Sequence, residues 1–527
     1  MNQRFLKKQS LFRAGLVLLI LILLNIVSVR VFGRLDVTEK DLFTLSEASR
    51  NLVGSLDDKI TVKAYFTEDL PSPYNSHRRM VLDQLNEYKA YSNGNLQYEF
   101  INPTGEEAER EAQQQGIAPV NVQVVKEDKF EVKRSYLGMA FLFEDKKETI
   151  PVVRNMSTLE YDISTTIKRL VTKTRKKVGF LGGHGEPGLQ ELAGIQEQLG
   201  KQYDISAVDL TGGTTVPSDI SALVVMAPKT PIPPPHQYQI DQYIMRGGKA
   251  AFLLNKVDAD LQQRFGREIP LGLEEMLAVY GLRINADLVR DTRCANISIV
   301  QQSFGFNIQS QVPFPLLPLA STFNPDNVMV KDLKGVVLFF TSSIDTLGIG
   351  AKGLSGDILM RSSKQSGRMK SVFMINPLAE YAPTEFSEQE IPLAAVVNGK
   401  FRSAFASRDV PVDTTGGVPP SAEERMNMSA PTQVVLVGDG DFARDQYLGN
   451  SDNLKFFANI IDYLLDDTGL ITIRSKDVTP PQLDQVSEGV KNVVKYGNLI
   501  FPPIVVLAYG MIRWRMRKAR RKALETK

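Results

Sequence analysis

Residues 177–210 read KVGFLGGHGEPGLQELAGIQEQLGKQYDISAVDL, and this stretch decides the fold of the chain. The apolar run at its start predicts a β-strand, residues 189–202 predict a helix, and residues 204–210 predict a second strand. Another strand is predicted at residues 221–227, and a further helix and strand follow it up to residue 255. Strands that are apolar throughout and alternate with helices are typical of a parallel sheet with helices on both faces. The sequence therefore predicts an α/β fold with a central parallel sheet.

Beyond residue 268 this alternation weakens. Residues 300–335 have the composition of a loop with scattered prolines. Asn398-Gly399, between two apolar runs, predicts a β-hairpin, because this dipeptide favours the tight turn that joins two antiparallel strands.

The α/β pattern returns before the chain ends. Residues 433–439 predict a strand and residues 453–465 predict a helix, and both could add to the same sheet late in the sequence. We therefore predict one α/β domain at residues 155–480, with an inserted β-rich region at about residues 285–430.

A second, smaller α/β pattern lies upstream. A strand at residues 60–66, a helix, and a strand at residues 96–102 predict a βαβ unit with a right-handed crossover. Ser157 and Glu160 then have the spacing of a capping box, which begins the next helix. The sequence therefore predicts a small α/β domain at residues 35–154.

Both ends of the chain carry an uncharged apolar run. The first, AGLVLLILILLNIVSV at residues 14–29, predicts a transmembrane helix at residues 14–32. We favour an uncleaved anchor over a signal peptide, because no small-residue cleavage site follows the run. Residues 496–512 predict a second transmembrane helix, and a buried core helix is the alternative there.

The tails outside these two runs are strongly basic. Residues 1–13 hold four Lys/Arg and no acid, and residues 513–527 hold eight Lys/Arg against one acid. Short basic segments next to a span stay in the cytoplasm. We therefore expect a protein of the inner (cytoplasmic) membrane, embedded through both termini, with cytoplasmic tails and a large periplasmic domain.

The composition excludes several classes of function. The whole chain has a net charge of +2, but its basic tails leave the region between the anchors with an excess of acidic residues. That excess disfavours nucleic acid as a partner. The single Cys294 excludes an intrachain disulfide, and three histidines far apart in sequence make a histidine-rich metal site improbable.

The stretch that decides the fold also carries a glycine motif. Gly183, Gly185 and Gly188 follow a predicted strand and precede a helix, and Asp209 ends the next strand. This is the spacing of the fingerprint that binds dinucleotides.

The residues between these glycines argue against a dinucleotide. Pro187 removes a backbone donor from the turn, while His184 and Glu186 bring a ring and an anionic group to the place of the pyrophosphate. A structural tight turn is the favoured interpretation, with an unidentified ligand as the alternative. The candidate contacts for a ligand or partner here are Gly183, His184, Gly185 and Glu186.

A second cluster, GDGDFARD, follows the late strand. Its carboxylates resemble a cation-binding loop, but Arg444 occupies the position that requires glycine and Asn450 stands where the closing glutamate belongs. Caps of the following turn and helix are the favoured interpretation. Asp439 and Asp441 join the candidate contacts for a ligand or partner.

No motif indicates catalysis by this chain. Neither the phosphate-binding motif G-x-x-x-x-G-K-[ST] nor the nucleophile motif G-x-S-x-G occurs. The sequence therefore predicts a protein that is not an enzyme and uses no cofactor.

Several motifs, in order along nearly the whole chain, carry a family resemblance. They are DVTEKDLFTLS, KKVGFLGGHGE, YGLRINADLVRD, IPLAAVVNGKFRSAF and VVLVGDGDFARD. The chain is similar to the gliding-motility-associated ABC transporter auxiliary proteins of Bacteroidota, the GldG family, which are often described as substrate-binding-like.

The resemblance implies partners and a fold. The partners are a separate ABC ATPase subunit, a polytopic permease subunit and other gliding or envelope proteins. The central domain would be similar to class I glutamine amidotransferases but without their Cys-His-Glu set. We therefore expect a non-catalytic auxiliary subunit. Two alternatives remain: a ligand-binding or enzymatic domain that uses the Gly183–Gly188 turn, and a cell-envelope scaffold that is independent of a transporter.

Overall fold

The structure is a computed structural model that forms two compact units, Met1–Asp477 and Val478–Lys527. It describes residues 16, 44–68, 70, 74–126, 129–153, 156, 158–172, 174–303, 306–331, 333–411, 425–449, 452–466, 495, 503 and 507–518.

The two predicted transmembrane helices fall largely outside these ranges. Of residues 14–32 only Leu16 is described, and of residues 496–512 the description covers residue 503 and the start of a helix at residues 507–518. Within the described ranges, no helix combines the length and the apolar character needed to cross a bilayer.

The first part of the large unit is a layer of helices on a five-stranded sheet. Its elements are α1 (Glu47–Gly54), β1 (Ile60–Phe66), α2 (His77–Tyr91), β2 (Leu96–Ile101), α3 (Glu106–Gln114), β3 (Pro119–Lys126), β4 (Lys129–Phe143), β5 (Lys146–Ile150) and α4 (Leu159–Val171).

In this sheet the strand order is β2-β1-β4-β3, and β5 pairs with β4. Strand β1 runs parallel to β2, with Ile60 opposite Leu96, and α2 connects them. The predicted βαβ unit is therefore confirmed. All other pairs in this sheet are antiparallel, as expected for strands joined by short turns.

Helix α4 completes the core of this first layer. Its apolar residues Leu159, Ile163, Ile167 and Leu170 lie on one helical face and are buried against the first sheet's core. The predicted boundary at residue 154 assigns this helix to the following domain, whereas its apolar face shares the core of the first layer.

The second part of the large unit holds the remaining elements. They are β6 (Lys177–Gly182), α5 (Ala193–Leu199), β7 (Asp204–Asp209), β8 (Ile220–Met226), α6 (Pro234–Met245), β9 (Lys249–Leu253), β10 (Val257–Asp260), β11 (Phe265–Glu268), α7 (Glu274–Val279), β12 (Leu282–Ile284), β13 (Asp287–Asp291), β14 (Cys294–Ser303), β15 (Phe306–Ala320), β16 (Thr322–Phe323), β17 (Val336–Val337), β18 (Ile344–Thr346), β19 (Ser355–Arg361), β20 (Ser366–Lys370), β21 (Phe373–Met374), β22 (Pro392–Gly399), β23 (Thr432–Val437) and α8 (Asn453–Leu465).

An eight-stranded sheet in the order β16-β19-β22-β23-β9-β8-β6-β7 forms the centre of this part. The five strands from β23 to β7 are parallel, which confirms the predicted parallel core and the late return of the chain to it. The three strands at the other edge are antiparallel, so the whole sheet is mixed. The chain is therefore of the α/β class.

Each face of this sheet has its own apolar core. Phe180 points to the face covered by α5 and α8, and its neighbour Leu181 points to the face covered by α6 and α7. This alternation follows from the two-residue period of a strand. Because both faces are buried, β8 and β9 need apolar residues at nearly every position, which is the pattern the sequence carries.

The predicted hairpin at Asn398-Gly399 is wrong. Strand β22 ends at Gly399, but its partners are β19 and the distant β23. The chain then continues without reversing, and Phe401 exchanges hydrogen bonds with Ser429, with 2.8 Å between donor and acceptor in both directions. Burial of Phe401 against the sheet overrides the local preference for a turn.

The predicted loop at residues 300–335 is also wrong in its first half. Strands β14 and β15 form a long antiparallel hairpin that pairs from Asn296 opposite Pro313 to Ser303 opposite Phe306. The ladder is irregular at its base, between Cys294 and Asn296, where the partner strand carries prolines. Proline cannot donate to a ladder, so it is tolerated at such irregular positions. The inserted region is rich in strands, as expected, but β16, β19 and β22 within it belong to the central sheet.

Candidate functional site

The candidate residues lie at the carboxyl edge of the parallel strands. Gly183 follows β6, Lys229 comes shortly after β8, and Asp439 comes shortly after β23. Numbered along the chain, the parallel strands have the order 2-1-3-4-5, which reverses between β6 and β8. Doubly wound α/β proteins bind ligands at this edge, next to the point of reversal.

A buried chain of hydrogen bonds occupies this point. The His184 side chain is 4% exposed, its Nδ1 lies 3.0 Å from Glu186 Oε1, and its Nε2 lies 2.8 Å from His236 Nδ1. The two rings meet edge to face with 5.1 Å between their centroids. The cluster therefore consists of a carboxylate and two imidazoles in a row. We call its two rings, His184 and His236, the histidine pair.

His236 reaches the histidine pair from helix α6. It is the third residue of that helix, directly after two prolines in the first turn, where proline is well tolerated. His236 is not among the candidate contacts that the sequence predicts. A signal for it was present, since the chain has three histidines and this one follows a proline-rich loop at the end of β8.

The turn that carries His184 is held tightly against the loop after β8. Gly183 and Gly185 have φ angles of +101° and +83°, a region that favours glycine. A Cβ on Gly185 would lie 3.0 Å from the Lys229 Cβ. The His184 carbonyl accepts hydrogen bonds from the N–H groups of Lys229 and Thr230 at 2.9 and 3.0 Å.

The backbone donors of this turn are used by the chain's own carboxylates. The His184 N–H donates to Glu186 Oε2 at 2.6 Å, and the Gly188 N–H donates to Glu191 Oε1 at 3.2 Å. A dinucleotide phosphate would need these donors, and Pro187 has none to offer. The residues present therefore do not fit a dinucleotide.

Asp209 is the acidic residue that the dinucleotide fingerprint requires at the end of the next strand. Its carboxylate also has a partner nearby in the chain. Its carboxylate accepts a hydrogen bond from the Thr211 N–H at 2.8 Å. This bond and the Thr211 hydroxyl lower the pKa of Asp209, with smaller contributions from His184 and His236. The Asp209 carboxylate therefore lies near the histidine pair and is already engaged by Thr211.

Asp439 holds backbone segments together. Its Oδ2 accepts from the Phe339 N–H at 2.6 Å, and its Oδ1 accepts from the Asp441 N–H at 2.7 Å. Burial raises the pKa of Asp439 well above its usual range, and the neighbouring Asp441 adds to this effect. The side chain is fully buried, so it has no surface to offer to a ligand.

The other carboxylates of GDGDFARD have structural partners as well. Asp441 accepts from the Asn255 amide at 2.6 Å and from Arg444 at 2.9 Å. Asp445 accepts from the N–H groups of Ala193 and Gly194 at 2.7 and 2.8 Å, and so caps helix α5. The capping role that we expected is present at Asp445, but the capped helix is distant in sequence.

The two sets of candidates share an edge of the sheet without meeting. Strands β6 and β23 are separated by β8 and β9, which places their ends about 14 Å apart at the usual strand spacing. Across the described residues, no group of three or more His, Cys, Asp or Glu side chains is arranged to hold a metal ion.

Known proteins provide a separate line of evidence. An uncharacterized protein of Borreliella burgdorferi is 24% identical over 520 residues, which cover 96% of this chain and 97% of the relative. Among solved structures, the N-terminal domain of mmIFT52 is 12% identical with a TM-score of 0.32, over 55% of this chain and 96% of that one.

Two family profiles match separate parts of the chain. Residues 39–142 match a domain of unknown function, and residues 175–467 match the family described as an ABC-type uncharacterized transport system. The two matches leave out the whole of helix α4, which packs on the first layer and precedes the second part. The second match covers more than half of the 527 residues, and the chain therefore belongs to the family of ABC-type uncharacterized transport systems.

Proposed function

We propose that this chain is a membrane-anchored, non-catalytic auxiliary subunit of an ABC transporter, and that its periplasmic body binds a partner or cargo. A separate ATPase subunit would supply the energy, and a polytopic permease would hold the two anchors. The family of ABC-type transport systems supports a role beside a transporter. The excess of acidic residues between the anchors argues against nucleic acid as a partner.

The observation that carries this proposal is that helix α4 contacts residues near both limits of the described body, Ser46 and Asp466. Near its start, Glu160 accepts a hydrogen bond from the Ser46 N–H at 2.7 Å. Two turns later, Lys168 Nζ lies 3.8 Å from the Asp466 carboxylate. Eight residues of helix span about 12 Å. Ser46 and Asp466, which lie on the sides of the two predicted anchors in the sequence, are therefore held by the same helix, which supports a subunit that places a pair of helices against a permease.

The non-catalytic part of the proposal is supported by the state of the reactive side chains. Cys294 begins β14, away from the parallel strands, and burial raises the pKa of its thiol. A thiol with a raised pKa is a poor nucleophile. His184 bonds Glu186 and His236 instead of a serine or cysteine. These features support the proposal that the body does not act as a nucleophilic enzyme.

Co-purification tests the transporter role. The full chain is isolated from the membrane in a mild detergent and its partners are identified by mass spectrometry. We expect an ATPase with a phosphate-binding loop and a multispanning permease in a fixed ratio to this chain. Recovery of the chain as a lone monomer would count against the proposal.

The topology is tested by labelling single cysteines. In a Cys294→Ser background, one variant carries Lys400→Cys, at an exposed residue of the body, and another carries Lys527→Cys, in the basic tail. We expect a membrane-impermeant maleimide to label the first and not the second in intact spheroplasts. Labelling of the tail alone would reverse the topology.

The association with gliding motility is the finer part of the proposal and comes from the family resemblance. It implies that other gliding or envelope proteins join the complex. Deletion of this gene and deletion of the ATPase gene should then give the same motility defect. A defect seen only on deletion of this gene would favour the alternative of a cell-envelope scaffold that is independent of a transporter.

One observation favours a second candidate, a ligand-binding or enzymatic domain at the Gly183–Gly188 turn. The histidine pair lies beside the point of strand reversal, where α/β domains bind ligands. A screen of nucleotides and glycans for a concentration-dependent rise in Tm tests this candidate. A shift that disappears in His184→Ala would support it.

A further inference from the structure

The central sheet has an open edge beside β19. The last strand on that side, β16, is two residues long and pairs with the last two residues of β19. One more bond, from the Asn324 N–H to the Leu359 carbonyl at 2.9 Å, extends this contact. Pro325 comes next and has no N–H to donate, and the chain turns away there. Residues 355–358 of β19 therefore have a neighbouring strand on one side, which is β22.

The pairing of β22 shows which backbone groups of β19 face the open edge. The residue after β23 donates its N–H to the Leu393 carbonyl at 2.9 Å, so every second residue of β22 from Leu393 onward faces β23. The residues between them face β19, and they include Val396, which lies opposite Asp357. Asp357 therefore directs its backbone groups to β22. Its neighbours on the strand, Gly356 and Ile358, direct theirs to the open edge.

These two residues bring two N–H and two C=O groups to the edge. Within the described part of the chain, no hydrogen bond reaches the backbone of Gly356 or Ile358 from the open side. Gly356 is exposed and Ile358 is half-buried. Unpaired groups at a sheet edge are a template for pairing with another strand. The edge can therefore accept an extended segment of chain.

A groove lies along this edge and gives such a segment room. Its volume is about 470 Å³, and its lining includes residues 322–325 around β16, residues 356–359 of β19, and Glu390. Four residues of a strand span about 13 Å. The groove is within the roughly 300–1,000 Å³ of ordinary binding sites, so it suits a short stretch of extended chain.

The charged side chains of the groove indicate the chemistry of the segment. Asp357 is exposed, and its carboxylate accepts one hydrogen bond, from the Asn327 amide at 3.1 Å. Glu390 is a second acid, and the one cation of the lining, Arg361, already donates to the Glu390 carbonyl at 3.3 Å. An added strand places one residue directly opposite Asp357. A positive charge is favourable at that position.

A second copy of this chain fits the edge poorly. Two copies of β19 use all four free groups in an antiparallel pair centred on Asp357, with Gly356 of each copy opposite Ile358 of the other. This arrangement puts the two Asp357 side chains directly opposite each other. Like charges in that position are destabilising, so the edge favours a different chain.

We propose that β19 binds an extended segment of another protein by strand addition, with a Lys or Arg of the segment opposite Asp357. The segment runs antiparallel to β19, as both present neighbours of β19 do. Successive side chains of a strand point to opposite faces, so the residues next to this cation lie beside Ile358 and are apolar. This inference rests on the proposed function, in which the body binds a partner, and it names the place and the chemistry of that binding.

The test measures the binding of a fluorescein-labelled octapeptide of alternating Lys and Val to the full chain in neutral detergent micelles. Fluorescence anisotropy is the readout, and empty micelles are the blank. A second peptide carries N-methyl groups on its valine nitrogens, which face β19 when lysine is opposite Asp357. A third peptide carries them on its lysine nitrogens, which face away, and is the matched control.

We expect saturable binding of the unmodified and the lysine-methylated peptides, and loss of binding for the valine-methylated peptide. Ile358→Pro removes one N–H from the open edge and leaves the bonds to β22 in place, so it should weaken binding about tenfold. Ile358→Val keeps that N–H and should bind as the wild type does. Asp357→Lys should reverse the preference toward an octapeptide of alternating Glu and Val.

Each outcome decides the matter. Absence of saturable binding, equal binding of the two methylated peptides, or an Asp357→Lys variant that keeps the original preference overturns the proposal. If Ile358→Pro does not fold, the methylated peptides decide alone, because they leave the protein unchanged. A dimer of the full chain that Ile358→Pro dissociates would assign the edge to a second copy and refute the proposal. Failure to co-purify an ATPase and a permease would refute the transporter role and leave the peptide result as it is, so the two proposals fail separately.

Discussion

The Glu160 carboxylate accepts a hydrogen bond from the backbone N–H of Ser46, 114 residues away, at 2.7 Å. The same oxygen accepts from the Ser49 hydroxyl at 2.8 Å. The side chain that our capping-box prediction assigned to the start of its own helix therefore supports the start of α1. This contact joins the beginning of the described body to the helix that ends its first layer.

Replacing Glu160 should loosen that junction. Glu160→Ala removes the acceptor and leaves the Ser46 N–H without its partner, which we expect to cost about 1–3 kcal/mol of unfolding free energy. Glu160→Gln keeps one oxygen and should cost less. The measurement is hydrogen exchange at residues 46–56 together with Tm. Glu197→Ala, at an exposed residue of α5, is the control, and an equal effect there would contradict the assignment.

Gly438 should not tolerate a side chain. A Cβ at this residue would lie 2.0 Å from the Ser342 carbonyl oxygen, which is a backbone atom. The Ser342 backbone is itself held in place, because its N–H donates to the Gly438 carbonyl at 2.7 Å. We expect Gly438→Ala to lower stability by about 3 kcal/mol or to prevent folding. Gly350→Ala, whose Cβ would meet no atom within 4 Å, is the matched control and should leave Tm unchanged.

Glu274 should give the large unit a stability that is lost in acid. Burial acts to raise the pKa of Glu274, but hydrogen bonds from the Lys256 ammonium and the Leu271 N–H outweigh burial, and the net pKa lies below the usual 4.5. A carboxyl group whose pKa is lowered by folding stabilises the fold above its ordinary pKa, and this contribution fades as the pH falls through the folded value.

We therefore expect Glu274→Gln to lower Tm at neutral pH, and we expect its Tm to converge with that of the wild type as the pH falls through the lowered pKa of Glu274, where both side chains become neutral. Thermal unfolding across the pH range measures this. Glu275→Gln, on the same helix, removes an exposed ion pair with Arg408 and should change Tm little at any pH. A difference in Tm between Glu274→Gln and the wild type that stays the same at every pH would refute this link between protonation and stability.

The histidine pair should behave as one energetic unit. His184→Ala removes the ring that bonds both Glu186 and His236, so the effects of His184→Ala and His236→Ala should not add. We expect a coupling energy of about 1 kcal/mol in a double-mutant cycle, measured by chemical unfolding. Additive effects would mean that the bond between the rings contributes nothing to stability.

Local patterns in the sequence predicted much of the fold. The apolar runs at β6, β8 and β9 and the helical period of α8 are properties of short segments, so their structure could be predicted without tertiary information. The sequence also indicated the glycine turn at Gly183 and Gly185, because its conformation depends on residues next to each other.

Features that depend on distant partners were missed. Strand β22 pairs with β23 across more than thirty residues instead of folding at Asn398-Gly399, and Asp445 caps a helix 252 residues upstream. His236 forms a hydrogen bond with His184 because β6 and β8 are neighbours in the sheet. Short sequence motifs do not show which strands pair, so this contact could not be predicted from them.

The strand order of the central sheet has a consequence for synthesis of the protein. Strand β9 takes its second neighbour from β23, which begins about 180 residues later in the chain. At about 5–20 residues per second, the ribosome needs on the order of 10–40 seconds to produce that neighbour. During this interval the nascent chain carries an apolar strand with an open edge, which makes it a natural client for a holding chaperone until β23 emerges.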